Sequence, residues 1–176
     1  MPSDGGRHDR VAALFDGHYD RLCRLAFLLV GDTAGAEDIV QEAFLRTFSG
    51  WRRIRDPERA HAYLTRAVVN LCHSRHRRRA VEDRGNGAVH RRDEQYVQDY
   101  GGPATTAIVV FDAIRLLPTR QRTAVLLRYY ADLSEAEMAQ AMGCAPGTVK
   151  SQLAKARSAL SRTLGDESLL LEGRPR

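Results

Sequence analysis

The chain has 176 residues, a formal net charge of +5 and a pI of about 9.4. This length allows one or two compact domains with real cores, and the modest basic excess suits nucleic acid or an anionic membrane face. The three cysteines are widely spaced without a C-x-x-C pair, which excludes a disulfide scaffold and favours a reduced, cytoplasmic protein. No apolar run approaches the about 20 residues that span a bilayer, and the N-terminus lacks the apolar segment of a signal peptide, so we expect no membrane insertion.

Two helices are predicted for the first part of the chain, after polar residues 1–9. The first helix begins near Val11 and ends at Gly31, and Asp32 caps the second helix. The apolar residues that share a buried face are Leu22, Leu25, Ala26 and Leu29 in the first helix, and Ala36, Ile39, Val40, Ala43 and Phe44 in the second.

The solvent face of the second helix is acidic and polar. Its side chains are Glu37, Asp38, Gln41 and Glu42. The positive end of the helix dipole accounts for Glu37 and Asp38 in the first turn, but it does not account for Glu42. Because no partner faces these acids from another segment, they suit a protein-binding surface better than a catalytic set.

A long helix is predicted from about residue 57 to residue 79, after a loop with the only tryptophan. Asp56 and Pro57 suit the N-cap and the first turn. Its core face holds Ala60, Tyr63, Leu64, Ala67, Val68 and Leu71, and a second stripe holds Arg59, Arg66, Asn70, His73 and Arg77. No acid lies between residues 59 and 81 to compensate Arg66, Arg75, Arg77, Arg78 and Arg79. This uncompensated charge favours contact with phosphate over a solvated face.

Residues 80–106 change in composition, and their glycines, mixed charge and few aliphatics predict a linker.

Two further helices follow on either side of Pro118. Their inward residues are Ala107, Val110, Phe111, Ile114 and Leu117 before it, and Val125, Leu126 and Tyr129 after it. No segment alternates at a period of two, so the fold class is predicted as all-α. We expect two small helical domains, at residues 10–79 and 107–164, joined by a flexible linker, with a tail at 165–176.

Residues 133–164 predict two short helices joined by a tight turn. Ser134 and Glu137 form a capping box, Gly143 ends the first helix, and Pro146 suits the start of the second. The inward residues are Met138, Ala139 and Met142 in the first helix, and Val149, Leu153, Ala156 and Leu160 in the second. The outward face of the second helix is basic and hydroxyl-bearing. These features favour a DNA-binding helix-turn-helix over an ordinary helical hairpin.

Signs of catalysis are few. The sequence has no glycine-rich phosphate loop, nucleophile elbow or H-E-x-x-H motif. Cys72, His73 and His76 lie close together on the long helix, but they lack a second spaced pair of ligands, and the surrounding arginines disfavour a cation. We predict no catalytic residue, metal or cofactor, and a metal hydrolase that uses these three residues stays as an alternative.

Two blocks of the sequence together resemble bacterial sigma factors. AEDIVQEAFLRTF, the Trp-bearing loop and HAYLTRAVVNLCHSRHRRR resemble sigma region 2, and LPTRQRTAVLLRYYADLSEAEMAQAMGCAPGTVKSQLAKARSAL resembles region 4. Because only a linker separates the blocks, the resemblance is to the extracytoplasmic-function (ECF) group. It implies a protein that binds core RNA polymerase, at the β′ coiled coil and the β flap, and directs it to promoter DNA. It also implies a partner, often an anti-sigma factor, that holds the activity back.

The resemblance implies roles for single residues. Those that match the helix that docks on the β′ coiled coil are Asp38, Gln41 and Glu42. Residues 49–59 match a loop that captures a flipped minus-ten base, which needs a pocket and a stacking surface. The implied minus-ten contacts are Trp51, Ile54, Arg55, Asp56, Tyr63, Arg66, Asn70, His73 and Arg77. The implied minus-thirty-five contacts are Arg120, Arg122, Thr148, Lys150, Ser151, Gln152 and Lys155.

Two positions depart from the family pattern. Gln152 stands where the family usually has arginine, and Ala154 is small where a larger side chain is frequent; both bear on the promoter sequence rather than on the activity. A stand-alone helix-turn-helix regulator, which binds duplex DNA without polymerase, is the second alternative. It leaves the acidic helix and the tryptophan loop unexplained.

Overall fold

The computed structural model describes the backbone of residues 4–50, 60–86 and 104–165, and the side chains of residues 12–50, 60–79 and 109–165. Throughout these ranges the chain forms helices and no strand, which confirms the predicted all-α fold class. None of the helices in these ranges has the length and apolar character needed to cross a membrane. The chain divides into two compact units, Met1–Arg92 and Asp93–Arg176.

The first unit packs α1 (Asp4–Val30), α2 (Thr33–Ser49) and α3 (Ala60–Asn86) against one another. The apolar stripes predicted for α1 and α2 are buried in this bundle. From α3 the core receives Ala60, Leu64, Val68 and Leu71. Tyr63 is 44% exposed, so its prediction as a core residue is wrong, because it lies at the edge of this apolar stripe.

Two helix ends differ from the prediction. α1 begins at Asp4 rather than near Val11, and α3 ends at Asn86 rather than at Arg79. Apolar periodicity does not mark a helix end that lies in a polar stretch. After Arg79 the chain has no glycine or proline before Gly85, so no residue type stops the helix earlier.

A tight corner joins α1 to α2, as predicted. Gly31 has a φ of 82°, a left-handed conformation that glycine adopts without a clash of a Cβ atom. Asp32 then caps α2, and its Oδ1 accepts a hydrogen bond from the Gly35 N–H at 2.6 Å. The corner therefore fixes the Asp32 carboxylate at the start of α2.

The second unit contains α4 (Ala104–Leu116), α5 (Thr119–Val125), α6 (Glu135–Met142) and α7 (Pro146–Leu164). Pro118 separates α4 from α5, as predicted. A core shared by α4, α5 and α7 contains Ala113, Leu117, Val125, Ala156, Leu160 and Leu164. The inward residues predicted for α6 and α7 are buried, so the outward face of α7 is the one left to solvent.

α5 does not continue as a regular α-helix. Leu126–Tyr130 forms a π-helical turn, in which the Ala131 N–H donates to the Leu126 carbonyl oxygen at 2.9 Å. Tyr129 on this turn is 37% exposed, so the prediction that it points inward is wrong. Its hydroxyl oxygen accepts a hydrogen bond from Arg157 Nε at 2.9 Å, which links the π-helical turn to α7.

α6, the turn after it and α7 form the predicted helix-turn-helix. Ser134 Oγ accepts from the Glu137 N–H at 3.3 Å, and the Glu137 carboxylate accepts from the Ser134 N–H at 2.9 Å. Gly143 has a φ of 60° at the end of α6, and Pro146 occupies the first turn of α7. The capping box, the glycine and the proline thus stand where the local sequence signals predicted them.

Ser134→Ala is expected to lower the free energy of unfolding of the second unit by about 1 kcal/mol, because the Glu137 N–H loses its acceptor. Urea denaturation followed by circular dichroism measures the change. Ser158→Ala, at an exposed position of α7, is the matched control and should change stability by less than about 0.5 kcal/mol. Equal stability of the two variants would contradict a stabilising capping box.

Candidate nucleic-acid and polymerase-binding surfaces

The outer surface of α7 carries most of the residues implied in minus-thirty-five recognition. Lys150, Ser151 and Lys155 are exposed, and Thr148 and Gln152 are half-buried. Thr148, Ser151, Gln152 and Lys155 recur at steps of three and four and share one face of α7, whereas Lys150 lies to one side of that face, next to Glu135 of α6. Ammonium, hydroxyl and amide groups are side-chain donors of the kind that proteins use toward base edges and phosphate oxygens.

Lys150 has an acidic neighbour within the helix-turn-helix. Its Nζ lies 3.5 Å from Oε2 of Glu135, the first residue of α6. Both side chains remain open to solvent, at 67% exposure for Lys150 and 46% for Glu135. Glu135 is not among the predicted site residues, although an acid at the start of the first helix and a lysine near the start of the second are both present in the sequence.

Arg120 and Arg122, near the start of α5, differ in environment. Arg120 is exposed. Arg122 is half-buried, and its Nη2 donates to the carbonyl oxygens of Arg115 at 2.6 Å and Leu117 at 3.2 Å. Burial, with a further contribution from Arg115, lowers the pKa of Arg122. Arg122 therefore caps the end of α4, which argues against its predicted contact with phosphate; only the folded chain brings those carbonyls within its reach.

One side of α3 presents the implied minus-ten residues that lie within the described part of the chain. Tyr63, Arg66, Asn70 and Arg77 are exposed, and His73 is half-buried. Steps of three and four place them on one stripe of the helix, where an aromatic ring, an amide and guanidinium groups stand in a row. The loop candidates Trp51, Ile54, Arg55 and Asp56 lie outside the described residues.

The basic segment of α3 at residues 75–79 is partly neutralised by Asp32, at the start of α2. Arg79 Nη2 lies 2.8 Å from Asp32 Oδ2, and Arg75 Nη2 lies 3.3 Å from Oδ1. We refer to these three residues as the Asp32 cluster. Gly35 leaves room for it, because a Cβ there would clash with the Arg75 guanidinium and the Asp32 carboxylate. The prediction of uncompensated charge is thus wrong for Arg75 and Arg79, since an acid 43 and 47 residues earlier in the chain reaches them.

The Asp32 cluster changes the ionisation of its carboxyl group. Partial burial alone raises the pKa of Asp32, but the Gly35 N–H and the guanidinium groups of Arg79 and Arg75 outweigh burial. The pKa of Asp32 is therefore below its usual value. Asp32 keeps its charge at lower pH than an isolated aspartate does, and it joins the α1–α2 corner to α3.

The exposed face of α2 holds the three residues implied in polymerase binding. Asp38 and Gln41 are exposed and Glu42 is half-buried, with its Oε1 accepting a hydrogen bond from Arg46 Nε at 2.6 Å. Leu45 lies on the same helix face and is 63% exposed. Carboxylates beside an exposed leucine are repelled by DNA phosphates, so this surface suits a protein partner.

The residues weighed as a metal site have other surroundings. Cys72 is buried, and burial raises the pKa of its thiol to about 12. His76 Nε2 lies 2.7 Å from the Leu29 carbonyl oxygen, at hydrogen-bonding distance. Within the described residues, no group of three or more His, Cys, Asp or Glu side chains is placed to hold a metal ion. The metal-hydrolase alternative has no ligand set in that part of the chain.

A helical unit with an acidic face and a basic helix, together with a second unit that contains a helix-turn-helix, is the arrangement expected of a sigma factor. The family model described as Sigma-70 region 2 matches residues 14–81, and the model described as Sigma-70, region 4 matches residues 109–160. The fold and both matches agree on this class.

Individual relatives narrow the class to a group. The chain is 33% identical over 145 residues to the RNA polymerase sigma-E factor of Streptomyces coelicolor, across 82% of this chain and 80% of that protein. It is 34% identical over 177 residues to the ECF RNA polymerase sigma factor SigM of Mycobacterium tuberculosis, across 92% and 88%. The sigma factor RpoE from Bartonella quintana, solved in complex with the anti-sigma factor NepR, matches with a TM-score of 0.67 and 26% identity, across 81% of this chain and 89% of that chain.

The chain belongs to the ECF RNA polymerase sigma factors. Its function is to direct RNA polymerase to promoters for transcription initiation, as a regulatory protein of the transcription machinery.

Proposed function

We propose that the chain performs this function through three helix faces. The acidic face of α2 binds core RNA polymerase, the exposed side of α3 binds the minus-ten element, and the outer side of α7 binds the minus-thirty-five element. The observation that carries the proposal is the separation of an acidic face on α2 from basic, hydroxyl- and amide-bearing faces on α3 and α7. The protein catalyses no reaction, and it acts in the cytoplasm, at the nucleoid when bound to polymerase.

The polymerase contact lies on α2. Asp38, Gln41 and Glu42 present two carboxylates and an amide on one face, and Leu45 adds an apolar surface there. Carboxylates that remain exposed on a stable helix are available to lysines and arginines of a partner. We assign this face to the β′ coiled coil of core polymerase, and the second unit to the β flap.

The minus-ten contact lies on α3 and on the loop before it. Tyr63 and Asn70 offer a stacking ring and a hydrogen-bonding amide, while Arg66 and Arg77 are placed for phosphates. Arg75 and Arg79 serve this contact less, because Asp32 holds them. Trp51, Ile54, Arg55 and Asp56 complete the proposed contact from the loop.

The minus-thirty-five contact lies on α7 and at the start of α5. Lys150 and Lys155 can donate to phosphate oxygens of any duplex and to guanine N7 and O6 at the promoter, while Ser151 serves several bases. Thr148 and Gln152 flank them, and exposed Arg120 is the remaining phosphate anchor. Each unit offers only a few basic side chains to duplex DNA, so the protein without polymerase should bind DNA weakly. Polymerase that holds both units at once raises their effective concentration at the promoter, and specific recognition depends on this.

A run-off transcription assay tests the proposal. The full chain is added to core RNA polymerase on a pool of genomic promoter fragments, and transcripts are mapped with and without the chain. Chain-dependent transcripts that start at defined sites are the expected result. Duplex binding without any binding to core enzyme would overturn the proposal in favour of a stand-alone helix-turn-helix regulator.

Lys150→Ala is expected to weaken binding of the polymerase complex to its promoter by about 10-fold, because a good lysine contact to a guanine base edge is worth roughly 1–3 kcal/mol. Electrophoretic mobility shift with a promoter found in the run-off assay measures the loss. Binding to core enzyme should stay nearly unchanged, since the proposed contact with the β′ coiled coil lies on α2. Joint loss of both activities would indicate misfolding, and an unchanged mobility shift would contradict the assignment of Lys150.

We also propose that a protein partner restrains the free chain, as an anti-sigma factor. The relative from Bartonella quintana was solved in complex with the anti-sigma factor NepR. In this chain Leu45 is 63% exposed beside the proposed polymerase contact on α2, so a partner that covers this face would block that contact. Affinity purification of the tagged chain from its own cells is expected to recover a protein that blocks the run-off assay, and failure of every recovered protein to block it would contradict this.

A further inference from the structure

The helix-turn-helix contains an ion pair between its two helices, formed by Lys150 of α7 and Glu135 of α6. Lys150 Nζ lies 3.5 Å from Glu135 Oε2, so a carboxylate of the same unit already contacts a cation that the proposed minus-thirty-five contact uses. Glu135 is the first residue of α6, where the positive end of the helix dipole stabilises its charge. Arg157, two turns after Lys150 on the same side of α7, is likewise held from a neighbouring element, by the Tyr129 hydroxyl at 2.9 Å.

We propose that Glu135 is a positioning residue that competes with DNA phosphate for Lys150 and keeps the free helix-turn-helix weak for duplex DNA. The inference rests on the proposed role of Lys150 in minus-thirty-five recognition. An exposed lysine–carboxylate pair is worth at most about 1 kcal/mol in water, so it weakens duplex binding a few-fold and does not block it. Its consequence is electrostatic: one of the cations on α7 is already neutralised before binding.

Two physical effects give Glu135 this role. First, a Lys150 side chain that stays with Glu135 neutralises no phosphate, so it releases no counterion from the DNA. Second, the Glu135 carboxylate then faces the phosphate backbone without its cation and is repelled. The chain therefore binds arbitrary duplex DNA weakly, and the polymerase, which holds both units at a promoter, supplies the missing affinity.

Removal of the Glu135 charge is the direct test. Glu135→Gln keeps the size of the side chain and leaves the capping box of Ser134 and Glu137 in place. The probe is a fluorescein-labelled duplex of about 30 base pairs and arbitrary sequence, and fluorescence anisotropy measures its binding to the full chain between about 50 and 200 mM salt. We expect about 3-fold tighter binding at low salt and a slope of log K against log salt that is steeper by about 0.9, the value for one additional lysine–phosphate contact.

Asp112→Asn is the matched control, because it removes the same charge from an exposed position of α4 in the same unit. It should leave the salt slope unchanged. Lys150→Met provides the second comparison, since the effect of Glu135→Gln should disappear in that background. The inference would be overturned if Glu135→Gln and Asp112→Asn changed the duplex affinity and the salt slope equally. It would also be overturned if the effect of Glu135→Gln persisted in the Lys150→Met background. Either result would mean that the general loss of negative charge, and not a coupling to Lys150, changes the binding.

Failure of this inference is distinguishable from failure of the proposed function. The duplex experiment uses the free chain, whereas the proposed function is tested with core polymerase. A wild-type chain that supports run-off transcription while Glu135→Gln and Asp112→Asn bind duplex alike would remove only the role of Glu135. A Lys150→Met variant that binds duplex and promoter complexes as the wild type does would overturn both the inference and the assignment of Lys150.

Discussion

Glu42→Lys is expected to weaken binding of core RNA polymerase at least about 100-fold and to abolish promoter-directed transcription. Glu42 lies on the exposed face of α2 with Asp38 and Gln41, and the reversal places a cation where the partner surface has to be cationic. Like charges across an interface cost several kcal/mol, and about 2.7 kcal/mol already corresponds to 100-fold in Kd. Titration of labelled chain with core polymerase measures Kd, and the run-off assay measures activity.

The fold should survive this change. The Glu42–Arg46 pair is exposed and spans one helical turn, so its replacement by two cations costs only a few tenths of a kcal/mol. Asp20→Lys, at an exposed position of α1, makes the same change of charge in the same unit and should retain nearly full binding. Loss of polymerase binding in both variants would mean that the net charge of the unit, and not the α2 face, determines binding. Full binding by Glu42→Lys would contradict the proposed polymerase contact.

Local signals predicted the helix-turn-helix well. The capping box of Ser134 and Glu137, the left-handed Gly143 and the first-turn Pro146 each act within four residues of their partners, so the sequence around each one determines its conformation. The buried stripe of α7 was predictable for a similar reason, because a helix with a strong apolar face has only one face that it can bury.

Contacts between distant segments were not predictable in the same way. Asp32 was recognised as the cap of α2, but its ion pairs with Arg75 and Arg79 depend on how α3 packs against the α1–α2 corner. The sequence alone does not reveal that contact, so it predicts an uncompensated cationic surface at residues 75–79 of α3. Arg122 makes the same point, because its half-buried place at the end of α4 exists only after α4 and α5 have packed.

Amphipathic aromatic residues are the second reason why the predicted core differs from the observed one. Tyr63 and Tyr129 both lie next to buried positions, and an apolar periodicity analysis includes them in the core. A tyrosine has an apolar ring and a polar hydroxyl, so the edge of an apolar stripe suits it as well as the centre. The π-helical turn Leu126–Tyr130 adds to this at Tyr129, because it departs from the 3.6-residue period on which the prediction relied.

The Asp32 cluster leads to the second large effect. Asp32→Ala is expected to lower the free energy of unfolding of the first unit by about 2–3 kcal/mol, because α2 loses its N-cap and two guanidinium groups lose their acceptor. Asp32→Asn keeps a capping side chain and loses only the charge, so its loss should be smaller, at about 1–2 kcal/mol. Urea denaturation, with hydrogen exchange of the Gly35 amide as a local measurement, determines both values.

The pH dependence of this stability difference tests whether the charge of Asp32 is its cause. The folded pKa of Asp32 is lowered, so its contribution is fully present above the unfolded pKa of about 3.9 and is lost as pH falls through the folded pKa. The difference in stability between the wild type and Asp32→Asn should therefore be largest near neutral pH and should shrink below about pH 4. Asp20→Asn, an exposed control on α1, should show no such difference.

The same variant tests how the Asp32 cluster affects nucleic-acid binding. Asp32→Asn releases Arg75 and Arg79, so it should increase the affinity of the chain for labelled single-stranded DNA of arbitrary sequence by about 3-fold to 10-fold and steepen the salt dependence. Asp20→Asn removes an equal charge and should change this affinity little. Unchanged stability and unchanged DNA binding in Asp32→Asn would show that Asp32 restrains neither arginine, and the basic segment of α3 at residues 75–79 would then be fully available to promoter phosphates.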